Sequence, residues 1–178
     1  TCKTYPREEA VGAKKAQETR VHLQTLGCPK NHVDSELMLG SFGLNNCRAV
    51  DEAEGADLLV VNTCGFIGPA REASINAILG LAEVKGRNPG SKLVVTGCLT
   101  QLFADELSKE LPEVDLFVGS GDATRIAELV HEMQISQEQE AVLPRIQVGK
   151  AGTLYDPDSA RIHMGPAYSA YIKIAEGC

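Results

Sequence analysis

Four short apolar runs recur along the chain: VHLQTL from Val21, DLLVV at Asp57–Val61, KLVV at Lys92–Val95 and VDLFV at Val114–Val118. They are almost continuously apolar where a half-exposed strand would alternate, so they suit strands buried on both faces of a parallel sheet. A weaker strand, CRAV, starts at Cys47. Between the runs lie stretches with apolar residues on one helical face. Asp34 is expected to cap a helix carrying Leu37, Met38 and Phe42, and Pro69 sits where a first helical turn accepts proline, ahead of Ala73, Ala77, Ile78 and Leu81. Thr100 is expected to cap a helix with Leu102, Phe103 and Leu107, and Asp122 to lead into Ile126, Leu129, Val130 and Met133. This alternation predicts an α/β domain over 20–134, with a doubly wound, five-stranded parallel sheet of order 2-1-3-4-5.

The flanks lack such periodicity. Residues 1–19 carry mixed charges and read as a loose extension, and 135–167 is rich in Gly, Pro, Asp and Arg and reads as a linker, with a short hairpin around Leu143 to Tyr155. The segment 168–178 has the pattern of a new strand ending at Cys178, the start of a second domain.

Composition narrows the function. At 178 residues, with 43% hydrophobic and 23% charged residues, the chain is of ordinary globular type, and no apolar run approaches a membrane span. A net charge of −7, with acidic residues spread along the chain, offers no footprint for a phosphate backbone, so direct nucleic-acid binding is not expected. Six cysteines without a secretory apolar segment fit a reducing compartment, in which thiols serve as metal ligands, nucleophiles or core filler. A cytoplasmic location is expected, with an organelle stroma or matrix as the alternative if the leader is a targeting remnant.

Cys28, Cys64 and Cys98 each stand just past the carboxyl end of a predicted strand, with a glycine beside them. In a parallel sheet all these ends lie along one edge, where ligand sites form. In the order 2-1-3-4-5 the three strands are neighbours about 4.8 Å apart, so their loops can converge on one small object. Three thiolates without a histidine favour a cubane iron–sulfur cluster with one open iron over a closed structural zinc site. The competing reading is that they are small buried apolar residues. Cys47, at the start of its strand and so at the opposite edge, is assigned to packing, and Cys2 lies in the loose terminus without a role.

Other polar residues have two readings each. Lys30 and Asn31 either shape the turn after Cys28 or contact a cluster, the former being favoured. Asn62 and Thr63 either donate toward cluster sulfurs or satisfy loop backbone. His32 is near enough to the site to be a minor candidate, whereas His22 and His131 have no ligand spacing to the cysteines. GSGD at Gly119–Asp122 lacks the full glycine spacing of a phosphate loop and reads as a strand-to-helix turn with an Asp cap.

The strings TLGCPKNHVDSE at Thr25–Glu36, NTCGFIGPAREASI at Asn62–Ile75, GCLTQ at Gly97–Gln101, VDLFVGSGD at Val114–Asp122 and YIKIAEGC at Tyr171–Cys178 together resemble the RimO-type methylthiotransferases. The resemblance implies a flavodoxin-like N-terminal domain in which Cys28, Cys64 and Cys98 hold an auxiliary [4Fe-4S] cluster. It also implies that Cys178 is the first ligand of a second [4Fe-4S] cluster, opening a radical S-adenosylmethionine (SAM) barrel. The implied reaction is methylthiolation of an unactivated C–H bond, begun by reductive cleavage of S-adenosylmethionine and completed with sulfur held at the auxiliary cluster and supplied by a sulfur donor. The residues around Cys28 and Cys64 point to the branch acting on an aspartate of small-subunit ribosomal protein number twelve. The tRNA adenosine methylthiotransferases are the alternative branch, and a non-catalytic flavodoxin-like metal-binding module is the alternative from another class. Under this resemblance the present fragment alone is expected to be inactive.

Overall fold

The structure is a computed structural model that describes residues 18–138, 144–149, 155–156 and 158–175, with backbone only at 137 and 138. It runs β1 (Thr19–Thr25), α1 (Pro29–Leu44), β2 (Cys47–Ala49), β3 (Leu58–Thr63), α2 (Gly68–Arg87), β4 (Lys92–Gly97), α3 (Cys98–Glu110), β5 (Leu116–Gly119), a 3-10 turn (Ser120–Arg125), α4 (Ile126–Glu138) and β6 (Ile146–Gln147). All strand pairs are parallel, in the order β2-β1-β3-β4-β5-β6. The expected flavodoxin-like α/β arrangement is present with one strand more.

The near-continuous apolar runs have a direct explanation. Leu58 and Val60 of β3 face a core shared with Met38 and Phe42 of α1 and Ile126 and Val130 of α4. Leu59 and Val61 face the opposite core, with Ile78 and Leu81 of α2 and Leu99 and Leu107 of α3. Every residue of β3 is buried, as a central strand covered on both faces requires.

The sixth strand lies inside the stretch read as a linker. Its two residues pair parallel to β5, and the Phe117 N–H donates to the Arg145 carbonyl at 2.7 Å. The Arg145 guanidinium donates to the carbonyls of Val114 and Leu111 and lies 5.7 Å from the Phe117 ring centroid. So short a strand gives no apolar run to read. The hairpin expected around Leu143 to Tyr155 is replaced by this parallel addition where residues are described; 143 and 150–154 lie outside them.

Three expected caps are corrected. α1 begins at Pro29 with Cys28 as its N-cap, more than a turn before Asp34, because proline's fixed φ suits a first turn. α3 begins at Cys98 with Gly97 as N-cap, leaving Thr100 buried within its first turn, and Phe103 breaks the helical dihedrals. Asp122 lies within the 3-10 turn, and its carboxylate accepts the Gly149 N–H at 3.0 Å. Pro69 stands in the first turn of α2, as expected. No strand is present over 168–175; 176–178, with Cys178, lie outside the described residues, as does the leader 1–17. No helix among the described residues is long and apolar enough to cross a membrane.

Candidate metal centre

Cys28 caps α1 after β1, Cys64 follows β3 directly, and Cys98 opens α3 straight off β4. The three strands are neighbours: Thr25 pairs with Asn62, Asn62 with Thr96 and Thr63 with Gly97. The structure therefore brings the three thiols to one sheet edge. All three are half-buried.

Glycine lets the three loops touch. Gly27 has φ +97°, and a Cβ there would lie 2.8 Å from the Cys64 Cβ and 3.2 Å from its Sγ. A Cβ on Gly65 would lie 3.0 Å from the Cys98 carbonyl oxygen, and one on Gly97, at φ +100°, would collide with the Thr63 carbonyl and lie 2.5 Å from Asn62 Oδ1. The first loop thus abuts the second, and the second abuts the third.

Beneath them runs a buried polar belt. Asn31 Nδ2 donates to the carbonyls of Leu26 at 2.8 Å and Thr63 at 2.9 Å, and its Oδ1 faces Cys98 Sγ at 3.7 Å. One side chain therefore reaches all three cysteine loops. Asn62 Nδ2 donates to the Asn31 carbonyl and to Ser35 Oγ, which also accepts from Thr25 Oγ1. Ser74 Oγ of α2 accepts the Cys64 N–H at 3.0 Å and lies 3.1 Å from the Cys64 carbonyl, fixing that residue's backbone. Thr63 Oγ1 donates to the Thr96 carbonyl. Asn62 Oδ1 is buried without a hydrogen-bond partner among the described residues. The favoured structural reading of Asn31 agrees with this geometry. Ser35 and Ser74 escape sequence reasoning, since a serine within a helix has no local signature that it serves a distant loop.

The remaining candidates separate cleanly. Cys47 stands at the start of β2 against the core, its Sγ donating to the Asn45 carbonyl, and burial pushes its thiol pKa up. His32 is engaged by Glu36, 3.4 Å away, and edge-on by the Tyr171 ring. His22 lies in β1, and His131 is exposed on α4. The GSGD segment turns from β5 into the 3-10 helix, with the Ser120 N–H donating to Gln101 Oε1.

Among the described residues no three His, Cys, Asp or Glu side chains group closely enough to hold a single metal ion. A cluster is a different demand, because each thiolate takes a different iron of a larger body. Three soft sulfur donors on adjacent strand ends, with glycines where backbone must come close, are a donor set suited to such a group.

The sequence profile described as uncharacterized protein family UPF0004 matches residues 20–119, from β1 to the end of β5. Similar proteins include the ribosomal protein uS12 methylthiotransferase RimO of Geobacter sulfurreducens, 44% identical over 159 residues, and that of Geotalea uraniireducens, 46% identical over 159, each alignment covering 89% of this chain and 34% of the relative. The protein of the same name from Anaeromyxobacter sp. strain K is 45% identical over 160 residues, covering 90% of this chain and 32% of the relative. The chain spans about a third of the length of these relatives. The profile takes in more than half of the chain and all three cysteines of the sheet edge, so the chain belongs to the UPF0004 family.

Proposed function

We propose that this chain is the N-terminal, sulfur-donor domain of a radical SAM methylthiotransferase that modifies an aspartate of ribosomal protein uS12. The observation that carries the reading is the convergence of Cys28, Cys64 and Cys98 on one sheet edge, with glycine contacts between their loops and Asn31 reaching all three. The relatives' names give methylthiotransfer and ribosomal protein uS12, while the radical SAM chemistry and the aspartate are what the resemblance implies. In this reading the cluster-binding domain takes in 20–134 with the end of α4 and β6, the rest of 135–167 joins it to the catalytic domain, and 168–178 opens that domain.

Cys28, Cys64 and Cys98 are then the ligands of an auxiliary [4Fe-4S] cluster, and Cys178 is the first ligand of a second one that binds S-adenosylmethionine. When bound, these groups supply reductive cleavage of S-adenosylmethionine and a sulfur at an open iron for transfer to carbon. The chain's own residues hold and orient. The three thiolates supply all the protein ligands, Gly27, Gly65 and Gly97 let the loops close, and the polar belt fixes the backbone behind each ligand. The enzyme works with the ribosomal protein and a sulfur donor, in the cytoplasm.

Anaerobic reconstitution tests the metal centre. The expected result is a brown domain with about four irons and four sulfides. Cys28→Ala, Cys64→Ala and Cys98→Ala should each lower the iron content while Cys47→Ala leaves it unchanged. A colourless domain, or iron content indifferent to the three changes, would leave a metal-free or structural-metal module. Methylthiolation by the full-length protein of tRNA and not of uS12 would overturn the choice of substrate.

A further inference from the structure

In a sheet covered by helices the outer face of each helix normally meets water. α1 does not conform. From Asn31 to Phe42 every residue except His32 is buried, including Asp34, Ser35, Glu36 and Ser41. The sheet covers one side, and described residues of 155–173 help to cover the other. Glu36, fully buried, accepts from Arg161 Nε at 2.6 Å, from the Met164 N–H at 2.8 Å and from His163, whose Nδ1 lies 2.9 Å away. The Ile162 N–H donates to the Glu36 carbonyl. Asp34 accepts from Tyr155 Oη and from Lys173 Nζ, both at 2.7 Å, and the lysine is almost fully buried 4.8 Å from the centre of the Tyr155 ring. Gly40 leaves the groove in which this strap lies: a Cβ there would collide with the Ala160 backbone.

Two carboxylates buried on one helix and met by Arg161, Lys173, His163 and two backbone or hydroxyl donors make a built receptor for this strap. The strap ends at Lys173, five positions before Cys178, and the helix is N-capped by Cys28. We propose that Asp34, Glu36 and Gly40 are positioning residues: they lock the described residues of 155–173 onto the helix that Cys28 caps, and so fix where the chain leading to Cys178 departs relative to the three-cysteine edge. The inference rests on the proposed function, because it assigns the clamp the task of holding sulfur donor and radical source in register. The carboxylates of Asp34 and Glu36 bond to the strap, so their effect on the cysteines is exerted through α1.

The test uses the full-length enzyme carrying both clusters, with Glu36→Gln, Asp34→Asn and Gly40→Ala. Gly40→Ala guards against trivial unfolding, since alanine is the better helix former and its methyl meets the strap backbone. The first measurement is amide hydrogen exchange, expected to quicken at least about tenfold at Ile162 and Met164 while β3 and β4 stay protected. The second is the amount of S-adenosylmethionine cleaved per methylthio product, expected to rise several-fold as cleavage continues without transfer. Unchanged exchange in Glu36→Gln and Gly40→Ala would overturn the clamp. Loosened exchange with an unchanged cleavage-to-product ratio would overturn the positioning role. A wild-type enzyme that makes no methylthio product would overturn the functional reading instead, and the exchange measurement would still decide the clamp.

Discussion

At the scale of single residues the site depends on a few side chains that have no substitute. Asn31 provides both donors for the Leu26 and Thr63 carbonyls, so Asn31→Ala leaves two acceptors facing a buried space. That should cost about 2–4 kcal/mol in the urea unfolding of the domain, well beyond a surface substitution; an unchanged midpoint would show that water replaces the amide. Gly97→Ala places a methyl on the Thr63 backbone at a φ of +100°, and strain of about 2 kcal/mol or more should appear as poor soluble yield and a lowered melting temperature. The cysteines themselves are legible in the sequence, because each follows an apolar run and abuts glycine. Asn31 is legible only as a turn residue. Besides Leu26, five positions away, its side chain meets Thr63 32 positions on and Cys98 67 on, and nothing in a local pattern reports partners that remote.

At the scale of elements, β1, β3, β4 and β5 are readable because burial on both faces forces apolar side chains onto successive positions. The helix starts mislead for one reason: a polar residue on a helix resembles a cap. Asp34, Thr100 and Asp122 are not the starts; Asp34 and Asp122 are polar because distant groups need them, while the true starts at Pro29 and Cys98 follow from proline's φ and from a glycine turn. β6 escapes notice because Arg145 fixes it, where a longer strand would rely on apolar side chains. Arg145→Ala should therefore cost about 1–2 kcal/mol and speed exchange of the Phe117 amide, whose acceptor is the Arg145 carbonyl. Retained protection at Phe117 would show that β6 holds without the guanidinium.

At the scale of the whole molecule, pH acts on the clamp from two sides. Burial pushes the Glu36 carboxyl up, but hydrogen bonds from Met164, Arg161 and His163 together with the Arg161 charge outweigh it and hold the pKa below the usual 4.5. That stability is complete above 4.5 and is lost as pH falls through the depressed value. His163 is raised above 6.5 by its bonds to the Pro166 carbonyl and to Glu36, so its contribution is complete below 6.5 and is lost as pH rises through the raised value. Exchange protection at Met164 should accordingly be greatest between about 4.5 and 6.5 and fall on both sides, and Glu36→Gln should flatten the profile. A profile equally steep in that variant would assign the dependence to other groups. The burial of α1 beneath a strap 121 to 139 positions later in the chain also has a temporal side. At synthesis rates of about 5–20 residues per second, Asp34 on α1 waits roughly 6–28 s before Tyr155 and Lys173 are made. Cys28 is already made when that interval opens, and Cys64 and Cys98 are translated within it, so the sheet edge carrying the thiols can form before its first helix is covered.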